Sequence, residues 1–136
     1  MKVLFVCKDN IGRSQMAEAF FNKFSKRNRA VSCGTNVKGW EGAKLGDYKF
    51  HVVRCMKEAG ISVGKQRSKQ VTRKMFSSAQ KVIAMAGWQN LPAYVRRSKK
   101  VTFWRIKDIR SASYEKTRKT RDVIRARVKA LVTELG

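Results

Sequence analysis

The stretch Val6–Phe20, VCKDNIGRSQMAEAF, sets a cysteine at the end of an apolar run and an arginine six positions later. A loop that leaves a buried strand and enters a helix aims several backbone N–H groups at one point. With the helix dipole behind them they form an anion site. Gly12 permits close backbone approach. Arg13 offers a planar fork suited to two oxygens of a phosphate-like group. At the mouth of such a cradle Cys7 is favoured as the nucleophilic thiolate, and the Ser14 hydroxyl is placed to hydrogen-bond the sulfur. A thiolate beside an oxyanion cradle is equipped to attack phosphorus. The spacing C-x5-R-S taken alone also fits a structural cysteine at a strand end. The strand before it and the helix after it favour the functional reading.

These residues need a frame. Lys2–Val6, KVLFV, holds a continuous apolar run after its lysine, as in a strand buried on both faces. Met16, Ala17, Phe20 and Phe24 recur at helical spacing, which predicts a helix from Arg13 to about Phe24. A second strand is expected over Ala30–Cys33, then a glycine-rich loop, GTNVKGWEGAKLGD. A helix over 49–59, closed by Gly60, follows. KVIAM and KVTFW read as the third and fourth strands, with a short helix or turn around the only proline between them. Tyr114, Thr117, Arg121, Ile124, Val128, Leu131 and Leu135 share one face of a long final helix. Strands alternating with helices imply a parallel α/β sheet covered on both faces. Ligands in such folds sit at the carboxyl ends of the strands, where residues 7–14 lie.

A chain of 136 residues is expected to form one domain, 1–136. Its apolar runs are too short to span a bilayer, and no secretory signal pattern opens it, so a cytoplasmic location is expected. Three cysteines without CxxC or Cys/His ligand spacing argue against a disulfide scaffold or a zinc site. The charge is anomalous. Thirty-two basic residues against nine acidic ones give +23, and residues 69–102 contain no acid. Such a field attracts any polyanion, nucleic acid included. It also fits a solvated or resurfaced exterior, which the lack of nucleic-acid recognition motifs favours.

Cys33 and Cys55 read as buried small hydrophobes. The only histidine, His51, has no cysteine dyad to serve. Trp40 is a candidate wall of the phosphate pocket, with packing on the domain as an equal alternative. Tyr114 is a candidate rim residue, although packing of the last helix is favoured. Trp88 and Trp104 read as structural. A carboxylate inside an anion cradle would oppose phosphate, so Asp9 is expected to point outward, as is Lys8.

VLFVCKDNIGRSQMAEA closely resembles the low-molecular-weight protein tyrosine phosphatases and the related thioredoxin-coupled arsenate reductases. SCGTNVKGWEG, KVIAMAGWQNLP and VTFWRIKDIR extend the resemblance over nearly the whole chain. It implies a three-layer sandwich with a four-stranded parallel sheet in the order 2-1-3-4. It implies Cys7 as nucleophile, the loop Lys8, Asp9, Asn10, Ile11, Gly12, Arg13 and Ser14 as phosphate holder, and Asp108 as proton donor. Asn10 and Ser14 would brace the loop and the thiolate. No metal or cofactor is implied, and the expected partner is a phosphorylated protein or aryl phosphate.

Three departures stand out. Ile109 follows the acid where the family usually has proline, which would stiffen that loop. Arg105, Lys107 and Arg110 surround Asp108. Gly12 stands where many members carry a second cysteine, and MAGWQNLP lacks the redox cysteines of the reductases. The expected activity is therefore hydrolysis of phosphotyrosine-like esters. A polyanion-binding protein with weak catalysis is the alternative, and arsenate reduction is less favoured. If the charge is a diffuse field, binding to RNA or DNA should depend on length rather than sequence. A salt titration should show it falling steeply, as counterion release requires.

Overall fold

A computed structural model describes residues 1–136. Four strands, β1 (Lys2–Cys7), β2 (Arg29–Gly34), β3 (Lys81–Ala84) and β4 (Val101–Phe103), form a parallel sheet in the order β2-β1-β3-β4. Five helices connect or flank them: α1 (Arg13–Phe24), α2 (His51–Glu58), α3 (Arg73–Ser78), α4 (Ala93–Arg96) and α5 (Tyr114–Leu135). The order expected from the resemblance is the observed one.

The pleat of β1 explains the three layers. Val3, Phe5 and Cys7 join the apolar cluster that includes residues of α1, α2 and α5. Leu4 and Val6 join a second cluster with Val82, Ala84, Leu91 and Val95, against which Met75 and Phe76 of α3 pack. Because both faces are covered, β1 is apolar without alternation. Phe5 anchors the larger side, with ring centroids 6.0 Å from Phe21 and 5.8 Å from Trp104. On α5, Thr117, Arg121, Ile124, Val128 and Leu131 are buried, the face read from the spacing. The charged member of that face is satisfied, since Arg121 Nη1 donates to the Cys55 carbonyl at 2.7 Å.

Several element bounds shift for local reasons. β1 continues to Cys7 because Cys7 pairs with Gly34 at the end of β2. α2 begins at His51, since Phe50 is extended (φ −71°, ψ 137°) and serves as its cap. Gly60 closes α2 in the left-handed region at φ +82°. The glycine-rich loop is partly ordered by a 3-10 turn at Leu45–Asp47 and a bridge between Lys44 and Arg67. No helix is long and apolar enough to cross a membrane.

One glycine decides how closely the loop after β1 can approach β2. A Cβ on Gly34 would lie 2.5 Å from the Lys8 carbonyl oxygen and 2.5 Å from a Val37 methyl. Gly34→Ala should therefore destabilise the fold by about 1–3 kcal/mol, as overpacking does. The measurement is a lower denaturant midpoint at unchanged slope.

Candidate active site

The segment between β1 and α1 turns on Asn10. Its φ of 54° is the only positive value among non-glycine residues, and asparagine tolerates that region better than most. The side-chain amide is saturated. Asn10 Nδ2 donates to Ser14 Oγ at 2.7 Å and to Ser32 Oγ at 3.0 Å. Its Oδ1 accepts from Gln15 Nε2 at 3.0 Å and from the Lys69 backbone N–H at 2.9 Å. Ser32 in turn donates to Glu18 Oε1 at 2.9 Å, and Gln66 donates to Gln15 Oε1. The chain is thus bent tightly between Cys7 and α1, and held there from β2 and the segment before α3.

Two consequences follow for chemistry. None of the backbone N–H groups of residues 8 to 14 donates to a backbone carbonyl. They are free for an anion, at the N-terminus of a 12-residue helix. The second consequence concerns sulfur. Ser14 Oγ lies 2.9 Å from Cys7 Sγ and already receives the Asn10 amide, so its own hydrogen is available to the thiolate.

Arg13 is buried and clamped from behind. Its Nη1 donates to the carbonyls of Met85 at 2.5 Å and Ile106 at 2.9 Å. Its Nη2 lies 4.0 Å from Asp108 Oδ2. The guanidinium therefore fastens the ends of β3 and β4 to the loop after β1 through Nη1, with Nη2 turned toward Asp108. Asp108 is exposed, and its Oδ1 accepts the Arg110 N–H at 3.0 Å, which bends the segment after β4.

Asp9 departs from expectation. It is buried rather than turned to solvent, and its carboxylate meets Arg110 Nη1 at 3.4 Å. A buried charge needs such a partner, and this pair bridges the loop after β1 to the segment after β4. Ile109 adds an apolar contact to the same junction. Its methyl group would lie 3.3 Å from a Cβ on Gly12, so the missing side chain at Gly12 lets Ile109 close over the loop.

Two depressions flank the loop. A groove of about 140 Å³ is lined by Ile11, Gly12, Trp40, Phe50, Ile109 and Arg110. Trp40 stands at its wall, with ring centroids 5.3 Å from both Tyr48 and Phe50. On the other side an open cleft of about 720 Å³ is lined by Lys8, Arg13, Trp88, Phe103, Arg105 and Asp108 among others. Tyr114 lines neither. It packs on α2, with His51 at 5.5 Å and the Arg54 guanidinium 4.3 Å from its ring, because the first turn of α5 faces α2 there. Of the two placements read for Tyr114, rim and packing of the last helix, the structure has the packing. Trp88, read as structural, is exposed in the cleft, whereas Trp104 is buried. Gln15 and Ser32 escaped the sequence reading. Their one signal was polarity at positions where α1 and β2 are otherwise apolar.

Residues 2–136 match the family described as low molecular weight phosphotyrosine protein phosphatase. The chain belongs to that family, and is a phosphatase-type hydrolase. Among its relatives, a glutaredoxin arsenate reductase of Synechocystis sp. is 30% identical over 99% of this chain and 98% of its own. A low molecular weight protein tyrosine phosphatase from T. tengcongensis superposes with a TM-score of 0.86 at 27% identity, over 98% of this chain and 99% of the other. An arginine phosphatase from Geobacillus stearothermophilus gives 0.83 at 27% identity, over 98% and 92%.

All three cysteines are free and buried, but their settings differ. Burial raises the Cys33 thiol strongly, with Cys7 adding to the effect. Burial also pushes Cys55 from 9.0 up to about 11, partly offset by Arg121. At pH 8, iodoacetamide should therefore modify Cys7 first, phosphate or vanadate should protect it, and Cys33 and Cys55 should stay unmodified in the native state. Peptide mapping of the alkylated protein checks this. Because the folded Cys55 thiol titrates late, the stability it contributes is complete below about pH 9 and is lost as pH rises toward about 11.

Proposed function

We propose that this chain hydrolyses aryl phosphate monoesters, phosphotyrosine in proteins first among them, through a phosphocysteine intermediate. The Cys7 thiolate attacks phosphorus, a P–S bond forms, and the bond to the phenolic oxygen breaks. Asp108 donates its proton to the departing phenolate. Water then attacks the phosphocysteine, giving its proton to Asp108, and inorganic phosphate leaves with the thiolate restored. The free edge of Arg13 and the N–H groups of residues 8 to 14 receive the equatorial oxygens as their charge redistributes. The observation that carries this reading is the run of backbone N–H groups without backbone partners that follows a sulfur held by Ser14. Reduced, buried cysteines support a cytoplasmic setting for one domain of this kind.

A second reading, arsenate reduction, is favoured by the name of the Synechocystis relative. Arsenate fits the same cradle, but its reduction to arsenite takes two electrons and hence a second thiol. Cys33 and Cys55 are both buried, and Cys33 sits in the apolar cluster across the sheet from Cys7. The second thiol would have to come from another molecule. Arsenite formation with thioredoxin as sole electron source would overturn the phosphatase reading.

Cys7→Ser should reduce p-nitrophenyl phosphate turnover to background without loss of the fold. Asp108→Asn should slow aryl phosphates with poor leaving groups by about 10²–10⁴-fold and p-nitrophenyl phosphate much less, since only the former depend on protonation. A steady-state series over leaving-group basicity measures both. If the poor leaving groups are unaffected, Asp108 is not the acid.

A further inference from the structure

The open cleft beyond Asp108 has walls that the hydrolysis of a simple aryl phosphate does not use. Trp88 is 54% exposed and Phe103 is 39% exposed, and their rings meet at 5.1 Å. Aromatic rings on the wall of a concave surface are the lining that ligand clefts use. Phe103 ends β4 and Trp88 follows β3, so both stand at the carboxyl edge of the sheet beside the loop that begins at Cys7. That edge is where ligands of parallel sheets settle.

The charge on these walls is uncompensated. Lys8, Arg13 and Arg105 line the cleft, and Asp108 is its one carboxylate. Asp108 lies within ion-pair distance of Arg13, while Lys8 and Arg105 have no carboxylate partner. An occupant therefore needs a negative group for Arg105 and Lys8, and an apolar side chain for the Trp88–Phe103 pair. It must also lie within reach of a phosphoryl group in the adjoining loop.

We propose that this cleft binds the acidic segment flanking the phosphorylated residue of a protein substrate, with a carboxylate side chain on Arg105 and an apolar one on Trp88. The inference rests on the phosphatase reading and gives it a substrate class. A phosphopeptide places its dianion in the loop and its neighbouring residues in the cleft, a volume of about 720 Å³ that suits a few side chains. Single-stranded nucleic acid fits less well. It favours a charged track with aromatic platforms for successive bases, whereas here the two rings abut each other.

The test uses Cys7→Ser protein, so that binding is read without turnover. Fluorescence titration compares a phosphotyrosyl peptide flanked by Glu and Leu, an alanine-flanked peptide of equal length, and an oligonucleotide of matching charge. The acidic peptide should bind about tenfold tighter than the alanine one, a difference typical of one charge-assisted contact with apolar burial. Adding Trp88→Ala and Arg105→Gln, both at exposed positions, should bring the ratio close to one. Arg27→Gln, an exposed charge at the opposite end of the sheet, should preserve it. Equal affinities, absent binding, or a preference erased equally by Arg27→Gln would overturn the proposal. So would tighter oligonucleotide binding that depends on Trp88. Turnover of p-nitrophenyl phosphate by the unsubstituted protein is scored apart. Its absence removes the phosphatase reading, while the affinity ratio still decides the cleft.

Discussion

A single asparagine amide holds the site in shape. Asn10 accepts a left-handed backbone and spends all four of its side-chain hydrogen bonds on Ser14, Ser32, Gln15 and the Lys69 N–H. If that bend relaxed, Ser14 would lose the partner that turns its hydrogen toward sulfur. The network is buried and fully satisfied, the condition under which polar groups rigidify a core rather than weaken it. Its members come from the loop after β1, α1, β2 and the segment before α3, so sheet pairing and loop geometry support each other. Gly34 completes the arrangement by letting the Lys8 carbonyl lie against β2.

The excess positive charge plays different roles at different places. Arg13 and Arg121 are buried, and each closes a hydrogen-bonding need of a neighbouring backbone. Arg110 balances a buried carboxylate. Arg125 joins Arg121 on the same carboxylate, Asp122, so four ion pairs serve a chain with thirty-two basic residues. Most cations thus have no carboxylate partner, and the molecule carries a broad positive potential on which the local arrangement at the loop is superimposed.

Much of the frame was legible because it rests on local rules. The apolar run at residues 2–6, the helical spacing of Met16, Ala17, Phe20 and Phe24, and the one-sided pattern of α5 each encode an element in neighbouring residues. Sheet order was not of that kind and came only with the family resemblance. What escaped reading depends on partners distant in sequence. Asp9 was expected to face outward because nothing nearby reveals Arg110, 101 positions away. Trp88 was read as structural because its exposure depends on how the segment after β3 meets Phe103. Tyr114 lies on the predicted face of α5, yet only the placement of α2 decides that it packs on His51 and Arg54 instead of on the loop.

The bridge between Asp9 and Arg110 has one dry end and one wet end, with the two side chains 10% and 54% accessible. Dissolved ions reach the arginine far more readily than the carboxylate. Ionic strength therefore acts here as a mechanical variable as well as an electrostatic one. Screening weakens the hold of Arg110 on Asp9 and leaves the buried carboxylate less compensated beside the loop after β1. The loop thereby contains its own counterweight. An anion approaching that loop in concentrated salt therefore meets more of the Asp9 charge than it does in dilute salt.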